Sequence, residues 1–151
     1  PGVRIGSPDC PSSLTIDIPA LPVYKTGMYE VTIKKDFSAA HTLRDVGGMC
    51  EGLHGHNFIV EATLSAPALN GEGLAVDFRD AKAWLSEVIG EFDHTCLNEL
   101  PCFSGRNPSS ENIARLIYDR IGAKLGEGLS VARVTVWESD DSRVSYTGEA
   151  G

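Results

Sequence analysis

The sequence lacks the features of membrane-spanning, nucleic-acid-binding and secreted proteins. No apolar run approaches the roughly 20 residues needed to cross a bilayer. The formal net charge is −8 and no cluster of Lys or Arg stands out. Nucleic acids and anionic membranes both require a concentrated positive surface, so neither is expected as a partner. Residues 1–26 have no basic start followed by an apolar block, so we expect an irregular arm there rather than a secretory signal.

Cysteine is scarce, with four residues in 151. Cys10, Cys50, Cys96 and Cys102 do not form the compact disulfide framework of a small secreted domain, so we expect reduced thiols in a cytoplasmic protein. The apolar fraction of 42% and the charged fraction of 23% are ordinary for a globular protein. A chain of this length can bury a core, and residues 27–151 are predicted to form a single domain.

Alternating apolar and polar residues predict two strands at the start of this domain. Tyr29, Val31 and Ile33 alternate with polar residues, which predicts a strand over residues 28–37 and, after it, a loop that carries His41. A second alternation predicts a strand over residues 54–66. The turn-like segment PALNGEG follows it.

Two amphipathic helices are predicted next. The first begins after Asp77 as N-cap. The second begins after Ser109 as N-cap, and Gly126 is expected just beyond its end. Apolar residues three and four positions apart form one stripe on each helix. The first stripe contains Phe78, Ala81, Trp84, Leu85, Val88, Ile89 and Phe92, and the second contains Ile113, Leu116, Ile117, Ile121 and Leu125.

The last two predicted strands cover residues 131–138 and 143–146, joined by a turn at 139–142. In the first of them, Ala132, Val134, Val136 and Glu138 share one face. The order of elements is ββααββ. We therefore predict an α+β fold in which two helices lie on one face of an antiparallel four-stranded sheet.

Three of the four histidines lie in the segment FSAAHTLRDVGGMCEGLHGH, residues 37–56. His54 and His56 are two apart on a predicted strand, so their side chains project to one face about 6.6 Å apart. His41 precedes them across a loop. Imidazole is the commonest metal ligand in proteins, and a catalytic zinc has three protein ligands and one open position. The sequence therefore predicts a Zn²⁺ site of His41, His54 and His56, with iron and nickel as alternatives.

Two residues just before the histidine pair are candidates for acid–base chemistry. Cys50 is either a buried apolar cysteine or an exposed thiolate base whose pKa a nearby cation lowers. The neighbouring glycines favour exposure. Glu51 is either a solvated loop acid or an acid–base group that competes with Cys50 for the same role.

Four more residues have both a structural and a functional interpretation. Asp93 and His94 follow the first helix, where a histidine either interacts with the helix dipole or is tuned by the adjacent carboxylate for proton transfer. Glu111, in the first turn of the second helix, is accounted for by the same dipole. Glu138 ends an otherwise apolar row and is either a functional carboxylate or a solvated strand end. By themselves, Glu111 and Glu138 are modest candidates for a functional role.

Six short motifs, in this order and spacing, resemble the 6-pyruvoyl-tetrahydropterin synthase family, which includes 6-carboxy-tetrahydropterin synthase. The resemblance extends from about residue 28 to residue 146. The motifs are FSAAH (37–41), CEGLHGHNF (50–58), VDF (76–78), DHTCLN (93–98), NPSSEN (107–112) and WES (137–139).

The resemblance implies a role for each candidate residue. It implies that His41, His54 and His56 are the zinc ligands and that Cys50, Asp93 and His94 are the catalytic residues. It places Glu138, Glu111 and Ser109 near the pterin ring. The family usually has Thr at the position of Ser109. The substrate implied is 7,8-dihydroneopterin triphosphate. The fold implied is the tunnelling fold, in which three subunits close a barrel and two trimers stack. A homohexamer with active sites between subunits is therefore expected.

The motif CEGLHGH leaves the product open. Family members with Cys four residues before the first His make 6-pyruvoyl- or 6-carboxy-tetrahydropterin. A folate-pathway subgroup has Glu three residues before that His and makes 6-hydroxymethyl-7,8-dihydropterin. This chain has both Cys50 and Glu51 and so resembles a mixed type. We favour 6-carboxy-tetrahydropterin, as in queuosine biosynthesis; a non-catalytic pterin- or metal-binding module is the alternative from another class.

Overall fold

The computed structural model describes residues 27–149. The arm predicted for residues 1–26, which includes Cys10, lies outside the described residues. Within the described range the elements are β1 (Tyr29–His41), β2 (His54–Ala66), α1 (Phe78–Gly90), β3 (Thr95–Cys96), α2 (Ser110–Gly122), β4 (Ser130–Trp137) and β5 (Arg143–Tyr146). Short 3-10 helices cover Gly48–Glu51, Leu97–Glu99 and Pro101–Phe103.

The long antiparallel pair β1 and β2 forms the centre of the sheet. One unbroken register runs from Tyr29 opposite Ala66 to His41 opposite His54. β1 therefore continues past residue 37, and the prediction that His41 lies in a loop is wrong, because His41 is the last residue of the strand. Pairing with β2 supports this extension, although Ala39 has a weak intrinsic strand preference.

The sheet contains five strands in the order β3-β1-β2-β4-β5. The four predicted strands pair antiparallel, as expected. The two residues of β3 add to the free edge of β1 in parallel orientation, so the sheet is mixed and has one strand more than predicted. A two-residue strand has no alternation that a sequence pattern could detect. A register shift between β2 and β4 buries Val131 in the core and leaves Ala132 partly exposed.

Both helices begin where their capping residues predict. Asp77 accepts a hydrogen bond from the backbone N–H of Arg79 at the start of α1. Ser109 accepts one from the backbone N–H of Asn112 at the start of α2. Each cap satisfies a backbone donor that has no partner within the helix.

The ends of the helices depart from the predictions. α2 stops at Gly122, so Gly126 is not the residue after the helix. The backbone N–H groups of residues 124 and 125 bond to carbonyls three residues back, which tightens the chain into turns before Gly126 is reached. Phe78 is wrongly placed in the apolar stripe of α1, since it is 61% exposed, whereas Phe92 lies beyond the end of that helix and is fully buried.

One hydrophobic core lies between the helices and the sheet. α1 packs over β1, and α2 packs over β4 and β5. Phe37 and Phe58 stack in the core with ring centroids 5.0 Å apart. His41 is also fully buried, so the end of β1 carries an imidazole to the margin of the core. Neither helix in this part of the chain is long and apolar enough to cross a membrane.

Candidate metal centre and active site

The adjoining ends of β1 and β2 bring three imidazoles together. His41 and His54 are opposite each other in the antiparallel register, and His56 lies two residues further along β2. The ring centroids are 4.6 Å apart for His41 and His54, 5.3 Å for His41 and His56, and 5.0 Å for His54 and His56. Phe58 packs edge-on against two of these rings, at 5.6 Å from His41 and at 5.4 Å from His56.

Backbone carbonyls fix the tautomers of two of the rings. His41 Nδ1 lies 2.8 Å from the carbonyl oxygen of Pro108, and His54 Nδ1 lies 2.8 Å from that of Gly52. A carbonyl oxygen can only accept, so in the neutral ring Nδ1 carries the hydrogen and Nε2 keeps its lone pair. Metal-binding histidines use this arrangement, in which one nitrogen donates to a carbonyl and the other binds the ion.

The remaining nitrogens of this cluster suit a cation. The Nε2 atoms of His41 and His56 are buried and have no hydrogen-bond partner among the described residues, although an unpaired buried polar atom costs about 1–3 kcal/mol. Burial lowers the pKa of His56 below its ordinary 6.5; Glu138 opposes this effect, while His41 and His54 reinforce it. A neutral imidazole is the form that binds a metal. The residues present therefore fit a divalent ion with imidazole ligands.

Glu138, directly after β4, adds a carboxylate to the cluster. Its Oε1 lies 3.3 Å from His56 Nε2 and 3.8 Å from His41 Nε2. Its Oε2 accepts a 2.6 Å hydrogen bond from the hydroxyl of Ser110. Donor atoms of the three histidines and of Glu138 all lie within 4.8 Å of one another. The structure thus places Glu138, predicted as a pterin anchor, at the imidazoles themselves.

A small pocket beside this cluster collects the residues predicted to lie near a pterin. Its volume is about 210 Å³, and Ser109, Glu111 and Glu138 all line it. Ser110 lines it as well and was missed by the sequence analysis, because only the fold brings its hydroxyl to Glu138. Its position directly after the predicted capping residue Ser109 was the one signal that the sequence offered.

The side chains of Asp93 and His94 are in contact at an open cleft. Asp93 Oδ1 lies 2.9 Å from His94 Nδ1 and also accepts a hydrogen bond from the backbone N–H of Ser38 at 2.9 Å. His94 has a left-handed backbone conformation with φ 57°, and its backbone N–H donates a hydrogen bond to the Ser38 carbonyl at 2.6 Å. The cleft, of about 490 Å³, is also lined by His56 and Cys96. The His94 side chain is 82% exposed.

Cys50 and Glu51 lie on the connection between β1 and β2. Cys50 is exposed, in agreement with the expectation from its glycine neighbours. Glu51 Oε1 accepts a 2.9 Å hydrogen bond from the backbone N–H of Gly47, a glycine with φ 74°. Glu51 therefore has a structural task in holding this turn. In the described part of the chain, no hydrogen bond or ion pair joins Cys50 to Asp93 or His94.

Two asparagines brace the segment that follows His41. Asn98 accepts a hydrogen bond from the Thr42 backbone N–H at 2.8 Å and donates to the Thr42 carbonyl at 3.0 Å. Asn107 makes the same pair of bonds with the backbone of Arg44, both at 2.9 Å. Each side-chain amide acts like a residue of a neighbouring strand. Both asparagines belong to motifs noted above, but the sequence does not reveal this task.

We expect the stabilising effect of the Asp93 charge to disappear in acid. The hydrogen bond from the Ser38 backbone, and secondarily that from His94, hold the pKa of Asp93 below its ordinary 3.8. Such a carboxylate stabilises the fold above its unfolded-state pKa and ceases to do so as pH falls through its folded-state pKa. Asp93→Asn should therefore be less stable than wild type at neutral pH, and the difference should shrink below about pH 4.

Urea unfolding of both proteins between pH 7 and pH 3 measures this difference in the free energy of unfolding. A difference that does not change with pH would show that the charge of Asp93 contributes nothing.

Comparisons with known proteins agree on one family. The family model described as 6-pyruvoyl tetrahydropterin synthase matches residues 30–149. An Archaeoglobus fulgidus protein provisionally named 6-carboxy-5,6,7,8-tetrahydropterin synthase is 40% identical over 111 residues, 74% of this chain and 89% of that protein. Dihydroneopterin monophosphate aldolase of Pyrococcus furiosus is 31% identical over 111 residues, 74% of this chain and 90% of that protein.

A solved structure supports the same conclusion for the fold. The 6-pyruvoyl tetrahydropterin synthase of Caenorhabditis elegans aligns with a TM-score of 0.73 at 22% identity, and the alignment covers 82% of this chain and 98% of that chain. The predicted subunit fold, with two helices packed on one sheet, is therefore confirmed for the chain.

Proposed function

This chain belongs to the 6-pyruvoyl tetrahydropterin synthase family, and on that premise we propose that it is a zinc-dependent lyase acting on 7,8-dihydroneopterin triphosphate. The product that we favour is 6-carboxy-5,6,7,8-tetrahydropterin, as in queuosine biosynthesis, followed by 6-pyruvoyl-tetrahydropterin. The name of the Archaeoglobus relative supports this order. The observation that carries the proposal is the convergence of His41, His54 and His56, with two unpaired Nε2 atoms, beside a pocket lined by Glu138.

Zinc is the ion that we propose because the three histidines offer only imidazole nitrogen. His41, His54 and His56 would hold it through Nε2. When bound, zinc supplies Lewis-acid chemistry, since it polarises a substrate oxygen and lowers the pKa of a hydroxyl group. The carbonyls of Gly52 and Pro108 keep two of the rings in the tautomer that can bind it.

The chain's own side chains then hold the ring and move protons. Glu138 accepts hydrogen bonds from the amino-pyrimidine edge of the pterin, with Ser109 and Glu111 lining the same pocket. Cys50, as a thiolate, removes a proton from the substrate side chain. His94 handles the proton on the opposite side. Asp93 supports that role because it holds His94 Nδ1 and leaves Nε2 available for transfer.

We also propose a cytoplasmic homohexamer with active sites between subunits. Cys50 is exposed and His94 is 82% exposed in the single chain, whereas groups that transfer protons usually work in a site shielded from water. A neighbouring subunit would supply that enclosure and bring the two groups together. Light scattering after size exclusion should then give six times the 16.2 kDa of one chain; a monomer with full turnover would contradict this assembly.

A second candidate is cleavage of the substrate side chain to give 6-hydroxymethyl-7,8-dihydropterin for folate synthesis. Glu51, three residues before His54, favours it, as does the aldolase name of the Pyrococcus relative. The hydrogen bond from Gly47 to Glu51 weighs against it, since one carboxylate oxygen is already engaged. A non-catalytic pterin- or metal-binding module remains the alternative outside the enzymes.

Incubation of the zinc-loaded protein with 7,8-dihydroneopterin triphosphate, followed by mass spectrometry, tests the proposal. We expect a carboxy- or pyruvoyl-tetrahydropterin, and no product from protein treated with a chelator. Formation of hydroxymethyl-dihydropterin instead would support the second candidate, cleavage of the substrate side chain. Unchanged substrate, with metal bound at one ion per chain, would support the binding module.

A further inference from the structure

The distance between Glu138 and His56 matches two ligands of one metal ion. Zinc binds histidine nitrogen at about 2.0–2.1 Å and carboxylate oxygen at about 2.0–2.2 Å, so neighbouring ligands of a tetrahedral ion are about 3.3–3.5 Å apart. The separation of His56 Nε2 and Glu138 Oε1 is 3.3 Å, and that of His41 Nε2 and the same oxygen is 3.8 Å. The separation of Glu138 from His56 therefore matches that of a fourth ligand, and its separation from His41 is somewhat longer.

A hydrogen bond is the other explanation of this contact, and the geometry disfavours it. Charge-assisted bonds between imidazole and carboxylate are about 2.7–2.9 Å long, which is shorter than either separation. Neither Nε2 has a hydrogen-bond partner in the described residues. In His41 the hydrogen lies on Nδ1, which donates to Pro108, so its Nε2 presents a lone pair to Glu138. Two lone-pair donors at this distance indicate a shared cation between them.

Ser110 holds the carboxylate in this orientation. Ser110 is 4% exposed, and its hydroxyl donates to Glu138 Oε2 at 2.6 Å. This bond fixes one oxygen at the start of α2 and leaves Oε1 turned toward His41 and His56. Outer partners of this kind commonly orient the ligands of a metal ion.

We propose that Glu138 is a fourth protein ligand of the metal in the substrate-free protein, and that Ser110 positions it. The inference rests on the proposed function, because it requires an ion at the three histidines. It extends that function, because the position left open for substrate in a three-histidine site is closed here by the chain itself. The pterin and the ion then compete for one carboxylate.

Titration of the metal-free full-length protein with Co²⁺ tests this assignment. Visible absorption reports the coordination number, since four-coordinate cobalt absorbs more strongly than five- or six-coordinate cobalt. We expect strong absorption and tight binding for wild type. Ser110→Ala should raise the Kd about 10-fold, the lower end of the effect of losing an outer partner. Glu138→Gln should raise it further and change the spectrum, because a neutral water takes the place of the carboxylate in the ligand set.

Asp140→Asn is the matched control. It removes one negative charge two residues from Glu138, at an exposed position outside the metal group, and should leave both the Kd and the spectrum unchanged. Equal Kd and equal spectra for wild type and Glu138→Gln would overturn the inference while leaving the three-histidine site intact. If wild type itself binds no Co²⁺, or binds it as well as His54→Ala does, the proposed metal site fails instead.

Discussion

Replacement of His54 with alanine should remove the bound metal and lower turnover at least about 1,000-fold. Metal chemistry at a reacting oxygen contributes several kcal/mol, and about 4 kcal/mol corresponds to a factor of 1,000 in rate. His54 is the suitable target because it is partly exposed, whereas His41 is fully buried. Its contact with Gly52 is local, within the same turn, so the fold should survive its removal.

The fourth histidine provides the control for this variant. His94 lies outside the metal cluster and its side chain is 82% exposed. His94→Ala should keep one metal ion per chain and still lose about 100- to 10,000-fold in turnover, the usual contribution of a general acid or base. Metal content by atomic emission separates the two variants. Full metal content in His54→Ala would contradict the three-histidine site.

Replacement of Cys50 with alanine should lower formation of the tetrahydropterin product about 100- to 10,000-fold, because the variant lacks the proposed thiolate base. Cys50 is exposed, and no hydrogen bond of its thiol is found among the described residues, whereas its backbone carbonyl accepts a hydrogen bond from Leu43. Loss of the thiol should therefore leave metal content and the unfolding temperature unchanged. Product analysis by mass spectrometry gives the rate for each product separately.

Glu51 requires two variants, because its carboxylate also holds the turn at Gly47. Glu51→Gln retains a carbonyl oxygen for the Gly47 N–H but has no basic carboxylate, whereas Glu51→Ala loses both. If Glu51 is a base for side-chain cleavage, both variants should lose hydroxymethyl-dihydropterin and keep the tetrahydropterin. If it only holds the turn, Glu51→Gln should behave as wild type. Equal loss of both products in Cys50→Ala and in Glu51→Gln would rule out two distinct bases.

Regular, local patterns predicted the fold well. The predicted limits of β2 and β5 match the observed ones, and the caps Asp77 and Ser109 located the starts of both helices. Failures arose where pairing partners set the outcome. The last residues of β1 form a strand because β2 continues opposite them. The two residues of β3 form one because the edge of β1 lies beside them.

The candidate site was predicted in part for the same reason. His54 and His56 share a face of a strand by the period of two, so their convergence follows from local geometry. The contact of Glu138 with His56 joins β2 to the end of β4, and the hydrogen bond from Ser110 joins α2 to that same point. Such contacts depend on how the elements pack, and spacing along the chain contains no information about them.

The hydrogen bonds of Asn98 and Asn107 to the backbone should reduce the conformational entropy that the chain loses when a metal binds. Together with the Pro108 carbonyl, they fix the chain on both sides of the His41 ring. Ordering a ligand loop costs about 1–2 kcal/mol for each residue that becomes fixed. Here the segment around His41 is already ordered in the folded chain, so metal binding does not need to order it. A chelator should therefore leave the far-ultraviolet circular dichroism unchanged, unlike in a zinc finger, which unfolds without its ion.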